Sequence, residues 1–258
     1  MKDDKLQCSV IVPVYNQWDL VPKLIGCLDS QSLGQKAFEL LLIDNGSSQL
    51  PDPVGLPPFA RLLHCQEPGS YAARNQGIKH ARGAYLVFTD ADCLPSSQWL
   101  EQGLQCIKHA DRPHHTIVAG GIQMVPFNDN SINAYELYDM TLGLLQEHYV
   151  RMGYGTTANL FFAKSIINRV GCFEQSRYSG GDAEFCRRAS QYGVEMYYCA
   201  AALVYHPARA SWQELAHKAR RIKGGKSCMA ICGDGCHLYH APLYRPYGHG
   251  AGYSRPGR

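Results

Sequence analysis

The chain has 258 residues, 45% of them hydrophobic and 18% charged, with a formal net charge of +3. That is the make-up of one large α/β domain, or of a domain with a modest appendage, and it excludes a disordered chain and a bulk nucleic-acid binder. No apolar run approaches the roughly 18 residues of a membrane span, and the polar residues 1–7 lack the apolar core of a signal peptide, so a cytoplasmic chain is expected.

The first half alternates strand and helix patterns. Cys8 to Tyr15 is an apolar run that reads as a buried strand, with Pro13 placed at its end because proline cannot donate to a central ladder. Apolar residues at 20, 21, 24, 25 and 28 give Trp18–Leu28 a helical period. Phe38–Ile43 is a second strand, stopped by Asp44-Asn-Gly-Ser-Ser, a strong turn sequence. The Pro-rich stretch 51–58 is a loop, Arg61–Cys65 a short strand, Ser70–Ala81 a helix and Tyr85–Thr89 a fourth strand. A helix follows over Ser96–Lys108, with Ser96 or Ser97 as its expected cap. Such alternation predicts a parallel, doubly wound sheet, which the run Thr116-Ile-Val-Ala-Gly-Gly121 should continue. Further on, helices are expected over Ile132–Gln146, Lys164–Val170 and Asp182–Tyr192, and strands over Thr156–Ala163, Val194–Tyr198 and Leu203–Tyr205. Ser211–Gly224 reads as a basic amphipathic helix, and the Gly/Pro/Tyr/His mixture from 233 as a poorly ordered tail.

The eleven cysteines are scattered, and an odd number in an unexported chain favours reduced thiols. Cys228, Cys232 and Cys236, with His237 and His240, form the one cluster, but their spacing matches no common zinc pattern.

The most informative run is Gly83-Ala-Tyr-Leu-Val-Phe-Thr-Asp-Ala-Asp-Cys93. It places Asp90 and Asp92 together where a buried strand leaves the sheet, the edge at which open α/β sheets bind ligands. Two carboxylates there repel each other unless a cation intervenes, and this spacing suits a hard ion such as Mg²⁺ or Mn²⁺ that also grips phosphate.

Five blocks in order carry a family resemblance: S-V-I-V-P-V-Y-N (9–16), L-L-I-D-N-G-S-S (41–48), A-A-R-N-Q-G through T-D-A-D (72–92), V-G-C-F-E (170–174) and G-G-D-A-E-F-C-R-R-A (180–189), closed by L-V-Y-H (203–206). From about residue 8 to residue 207 the chain resembles family 2 glycosyltransferases of the GT-A fold. The resemblance implies a doubly wound, mostly parallel sheet with a nucleotide-binding N-terminal half and an acceptor-binding C-terminal half. It implies a catalytic domain over 1–207, with 208–232 as a basic helical extension and 233–258 as the tail.

The same resemblance implies roles for residues. Pro13, Val14 and Tyr15 line the nucleoside pocket, and Asp44 accepts from the base, with Asn45 where relatives often carry a second acid. Arg74 closes over the nucleoside, Asp90 approaches the ribose, and Asp92 with His206 holds the cation. Gly77 and Gly83 are structural. Asp182 is the general base, although Gly181 stands where the family usually has Glu; Glu184 is its rival. The implied activity is metal-dependent, inverting transfer from a nucleotide sugar, expected to be UDP-linked, to a hydroxyl acceptor in cell-surface glycan or glycolipid synthesis, with Mn²⁺ or Mg²⁺ as cofactor. An impaired nucleotide-sugar-binding relative and a sugar-nucleotide nucleotidyltransferase are the alternatives. The Gly-rich stretch 152–159 is expected to contribute to the acceptor site.

Trp212, Leu215, Ala216, Ala219 and Ile222 share one face of the basic helix. Two readings follow: contact through 211–226 with an anionic lipid surface at the inner face of the cytoplasmic membrane, or packing on the catalytic domain with the charges solvated or near the donor diphosphate.

Overall fold

Strands that run almost continuously apolar are buried on both faces. That is the situation of β1 (Cys8–Val14), β2 (Phe38–Asp44) and β4 (Tyr85–Thr89) at the centre of an eight-stranded sheet. The computed structural model describes residues 5–50, 55–127 and 131–231, with side chains as far as 223. The tail 233–258 and the side chains of the Cys228–Cys232–Cys236 cluster lie outside the described residues.

The remaining strands are β3 (Ala60–His64), β5 (Leu94–Pro95), β6 (Thr116–Val125), β7 (Asn159–Ala163) and β8 (Glu195–Pro207), in the order β3-β2-β1-β4-β7-β6-β8-β5. β3, β2, β1 and β4 are mutually parallel, as the strand–helix alternation predicts. Pro13 lies beyond Ile11–Phe88, the last β1–β4 partner pair, so its missing N–H costs that ladder nothing. The helices are α1 (Val21–Asp29), α2 (Ser70–His80), α3 (Trp99–Lys108), α4 (Ala134–Leu142), α5 (Gln146–Arg151), α6 (Ser165–Val170), α7 (Gly181–Gln191) and α8 (Trp212–Ile231). Alternate residues of the central strands face two cores. Val10, Val12, Leu40, Leu42 and Val87 meet α1 and α3, whereas Ile11, Leu41, Ile43, Leu86 and Phe88 meet α2, α6 and α7. At Gly77 of α2 a Cβ would stand 2.5 Å from Ile11 Cγ2, so the helix lies on β1 only because that residue has no side chain.

The structure departs from the sequence reading in four places. β6 does not extend the parallel block; β7 lies between β4 and β6, antiparallel to both. Buried Asn159 locks it there, its Nδ2 donating to the carbonyls of Gly121 (2.7 Å) and Ala202 (2.8 Å). The helix expected over 132–146 is two helices, α4 opened by an Asn133–Glu136 capping box and broken at Gly143. The two strands expected over 194–205 are one, β8, which keeps its pairing to β6 through a register shift opposite Gly120 and Ile122. α3 is not capped by Ser96 or Ser97: the Leu100 N–H donates instead to Gln31 Oε1 (3.0 Å), a cap from a distant segment that local sequence cannot show.

Candidate active site

β1, β2, β4 and β8 deliver their carboxyl ends to one edge of the sheet. There a cavity of about 370 Å³ is lined by Tyr71 and Arg74 of α2, Asp90 after β4, Asp182 of α7, His206 of β8, and Arg209, Lys218 and Arg221. Tyr154, Thr156, Thr157 and Ala158 also line it, so the Gly-rich stretch reaches the cavity.

Asp182 enters from the first turn of α7, whose N-cap is Gly180 in the left-handed conformation; Asp182 is not the cap. Its carboxylate accepts from the Tyr71 hydroxyl (3.3 Å), the Thr157 N–H (3.4 Å) and the Ala183 N–H (3.0 Å). Glu184 is bound to Arg188 Nε (2.7 Å) on another face of the helix and does not line the cavity. The absent Glu has a steric cause. A Cβ at Gly181 would meet the Tyr71 ring at 2.7 Å, and the Gly181 N–H donates to the Tyr71 hydroxyl (2.9 Å), so the ring occupies the space a larger residue 181 would need. Burial, and after it the Asp182 charge, pushes the Tyr71 phenol well above its usual value, so it stays a protonated donor to that carboxylate. The sequence reading missed Tyr71. The signal was its i, i+3 spacing to Arg74, which places both on one helix face.

Arg74 is buried, and its Nη2 donates to Asp90 (2.7 Å), while its guanidinium carbon lies 5.6 Å from the Tyr71 ring centre. Arg74 Nε is buried without a hydrogen-bond partner.

Asp92 and His206 meet behind this pair. Asp92 Oδ1 is buried with no hydrogen-bond partner and lies 3.7 Å from His206 Nε2, too far for a hydrogen bond. With Nδ1–H donating to the Pro207 carbonyl (2.9 Å), the Nε2 lone pair of His206 points toward the carboxylate. Cys93 supplies a third potential ligand atom, and the three lie within 4.8 Å of one another. Burial pushes the Asp92 carboxyl above its ordinary value, opposed by His206 and reinforced by the Asp90 charge. An orphaned carboxylate oxygen facing an imidazole is a mixed oxygen–nitrogen donor set, which fits a borderline divalent cation such as Mn²⁺ better than the oxygen-seeking Mg²⁺.

The expected nucleoside-pocket residues stand apart from this cavity. Val14 is fully buried, and its carbonyl accepts from the Asn45 N–H (2.9 Å). Pro13 is half-buried at the end of β1, and Tyr15 is 61% exposed beyond it. Buried Asp44 accepts from Trp18 Nε1 (3.0 Å) and the Gly46 N–H (3.1 Å). Burial raises its pKa, but the bonds from Ser47, Trp18 and Gly46 outweigh that and hold it low. Much of its accepting capacity therefore serves its own turn.

α8 closes the far side of the cavity. Its Lys218 donates to buried Asp139 of α4 (2.8 Å), which also accepts from Arg209 Nη1 (2.9 Å). Burial favours the neutral Asp139 acid, but these two cations win and hold its pKa low. No sequence signal distinguished Asp139 or this clasp. Among the described residues no helix is long and apolar enough to cross a membrane.

The family model described as glycosyl transferase family 2 matches residues 9–178, a span that includes Arg74, Asp90 and Asp92 and stops before Asp182 and His206. The chain is 32% identical to the glycosyltransferase AglE of Haloferax volcanii, over 84% of this chain and 72% of that protein. It is 27% identical to the pre-mycofactocin glycosyltransferase of Mycobacterium tuberculosis, over 86% of this chain but 47% of that one, so it spans about half of that relative's length. Its fold resembles S. aureus TarS 1-349 in complex with UDP-GlcNAc, with a TM-score of 0.59 and 18% identity over 80% of this chain and 60% of that chain.

Proposed function

The chain belongs to glycosyl transferase family 2, and on that premise we propose that it moves a sugar from a nucleotide-sugar donor to a hydroxyl acceptor with inversion at the anomeric carbon. A UDP-linked donor is the first choice, since the structurally similar TarS forms a complex with UDP-GlcNAc. The acceptor belongs to cell-surface glycan or glycolipid synthesis. The observation that carries the reading is the convergence of Asp182, Arg74, Asp90 and His206 on one cavity, with Asp92 behind His206 at 3.7 Å.

In this reading the acceptor hydroxyl lies against Asp182, which takes its proton as the oxygen attacks the anomeric carbon. The new glycosidic C–O bond forms on the face opposite the breaking bond to the diphosphate. Tyr71 and the Thr157 N–H hold the carboxylate in place, a contribution of orientation rather than of charge. Asp90 and Arg74, bound to each other here, separate to meet ribose and nucleoside. Pro13, Val14, Tyr15 and Asp44 shape the base pocket, the last two with the only side chains among the four that carry polar atoms. Arg187, Arg209, Lys218 and Arg221 make the cavity positive and suit an anionic donor. Asp92 and His206 would hold Mn²⁺ or Mg²⁺. Such an ion, when bound, supplies Lewis-acid stabilisation of the departing diphosphate.

The impaired-relative alternative loses its main motive, because Gly181 is dictated by the Tyr71 ring and Asp182 is retained in the cavity. Thermal stabilisation by a panel of nucleotide sugars, with and without Mn²⁺, followed by assay for released nucleoside diphosphate, tests the proposal. Stabilisation by no member of the panel would overturn it, and formation of a nucleoside triphosphate and a sugar 1-phosphate when pyrophosphate is added to the nucleotide sugar would favour the nucleotidyltransferase.

A further inference from the structure

Beside the active-site cavity lies a second concavity of about 630 Å³ between α4 and α8. One wall is the α4 stripe Tyr135, Tyr138 and Leu142, at i, i+3 and i+7; the other is the α8 stripe Trp212, Leu215 and Ile222. The two stripes face one groove without sealing it. Tyr138 and Leu142 each remain 57% exposed and Trp212 64%.

What the groove joins identifies its occupant. Lys218 and Ile222 line both the groove and the cavity that holds Asp182, so the two concavities adjoin across these side chains. At that junction Lys218 and Arg209 are clasped by Asp139, and Arg221 lines the cavity beside them. An occupant therefore meets apolar walls along its length and positive charge where it turns toward Asp182. From Trp212 to Ile222 the helix rises about 15 Å, comparable to an extended dodecyl chain.

We propose that the α4–α8 groove seats the hydrocarbon chain of the acceptor, which is a single-chain amphiphile whose polar or anionic head enters the active-site cavity. The proposal rests on the glycosyl-transfer reading and names the acceptor class for it. It also gives the apolar face of α8 a use different from lying flat on a bilayer or being sealed against the catalytic domain.

Trp212 is the natural reporter, since Trp99 is fully buried and Trp18 is bonded to Asp44. Titration of the full chain with dodecyl phosphate below its micelle-forming concentration should give a saturable blue shift of tryptophan emission. Inorganic phosphate should give none. Trp212→Phe should abolish the fluorescence change while binding persists by thermal shift, and Tyr138→Asp should weaken binding at least tenfold. Absence of saturable binding, or unchanged affinity in Tyr138→Asp, overturns the proposal. So does a response to anionic phospholipid vesicles alone, which would assign the face to a lipid surface. Self-association abolished by Tyr138→Asp, without dodecyl phosphate binding, would assign it to a second copy. Nucleoside diphosphate binding with Mn²⁺, measured on the same samples, separates the two readings. If it survives while dodecyl phosphate fails to bind, only the groove falls; the reverse pattern retains the groove and removes the glycosyl-transfer reading.

Discussion

Glu39 and Asp92 are acidic residues at opposite ends of β2 and β4, the two strands that flank β1, and the protein treats them in opposite ways. Glu39, near the start of β2, accepts from the Ser9 hydroxyl (2.8 Å), the Arg82 N–H (2.6 Å) and the Arg82 Nε–H (2.9 Å), with Arg61 Nη1 at 3.2 Å. Burial raises its pKa, but those bonds outweigh burial and hold it low. Asp92, just past the end of β4, keeps a buried oxygen with no partner, and its pKa is raised. A carboxylate surrounded by donors is a structural tie. One left desolvated and unsatisfied is a destabilising feature that a ligand can relieve. Glu39 at the amino end of β2 is fully bonded, whereas Asp92 beyond the carboxyl end of β4 is not.

The largest test of that contrast is Asp182→Asn, which should cut transfer by about 10²-fold or more, the usual weight of a general base. Nucleoside diphosphate affinity should stay near normal, and Glu184→Gln should stay active. A crippled Glu184→Gln beside a healthy Asp182→Asn would move the base to the other carboxylate. Asp92→Asn should remove the Mn²⁺-dependent part of nucleoside diphosphate affinity, by more than about tenfold, since metal ligation contributes several kcal/mol. Calorimetry with and without Mn²⁺ reads this directly, and unchanged affinity would dismiss the cation site.

Glu39→Gln should do the reverse, lowering stability by about 2 kcal/mol with no effect on nucleotide binding. The pH dependences should then diverge. Glu39 has a depressed folded-state pKa, so its stabilisation is present above the unfolded value, about 4.3, and is lost as pH falls through the folded one. Asp92 has a raised folded-state pKa, so its cost to stability grows as pH rises from about 3.9 through the folded value. Without metal, Asp92→Asn should therefore melt no lower than the parent at pH 7, while Glu39→Gln melts lower there and approaches the parent as pH falls below the folded-state pKa of Glu39. Parallel melting curves across that range would erase the distinction. The smallest effect expected is that of Tyr71→Phe, which removes one neutral donor to Asp182 worth about 1 kcal/mol. It should lower kcat by less than about tenfold and leave KM for the donor unchanged; a larger loss would make the hydroxyl more than a positioning group.

Much of this was legible in the chain itself. Near-continuous apolar runs identified β1, β2 and β4, because a strand buried on both faces needs no polar alternation. The turn residues after those runs put Asp44, Asp90 and Asp92 at strand ends. Helical period placed α1, and the helices read over Ser70–Ala81 and Asp182–Tyr192 match α2 and α7, all to within a few residues. What local pattern does not encode is which distant segments share space. The insertion of β7 beside β4 depends on Asn159 bonding to two other strands, and the cap of α3 comes from Gln31. The approach of His206 to Asp92, the Tyr71 ring that reduces residue 181 to glycine, and the Asp139 clasp that holds α8 over the cavity are likewise tertiary. Periodicity and turn chemistry act over a few residues and are written in order along the sequence. Steric exclusion, desolvation and side-chain bonds between remote segments exist only once packing has brought those segments together.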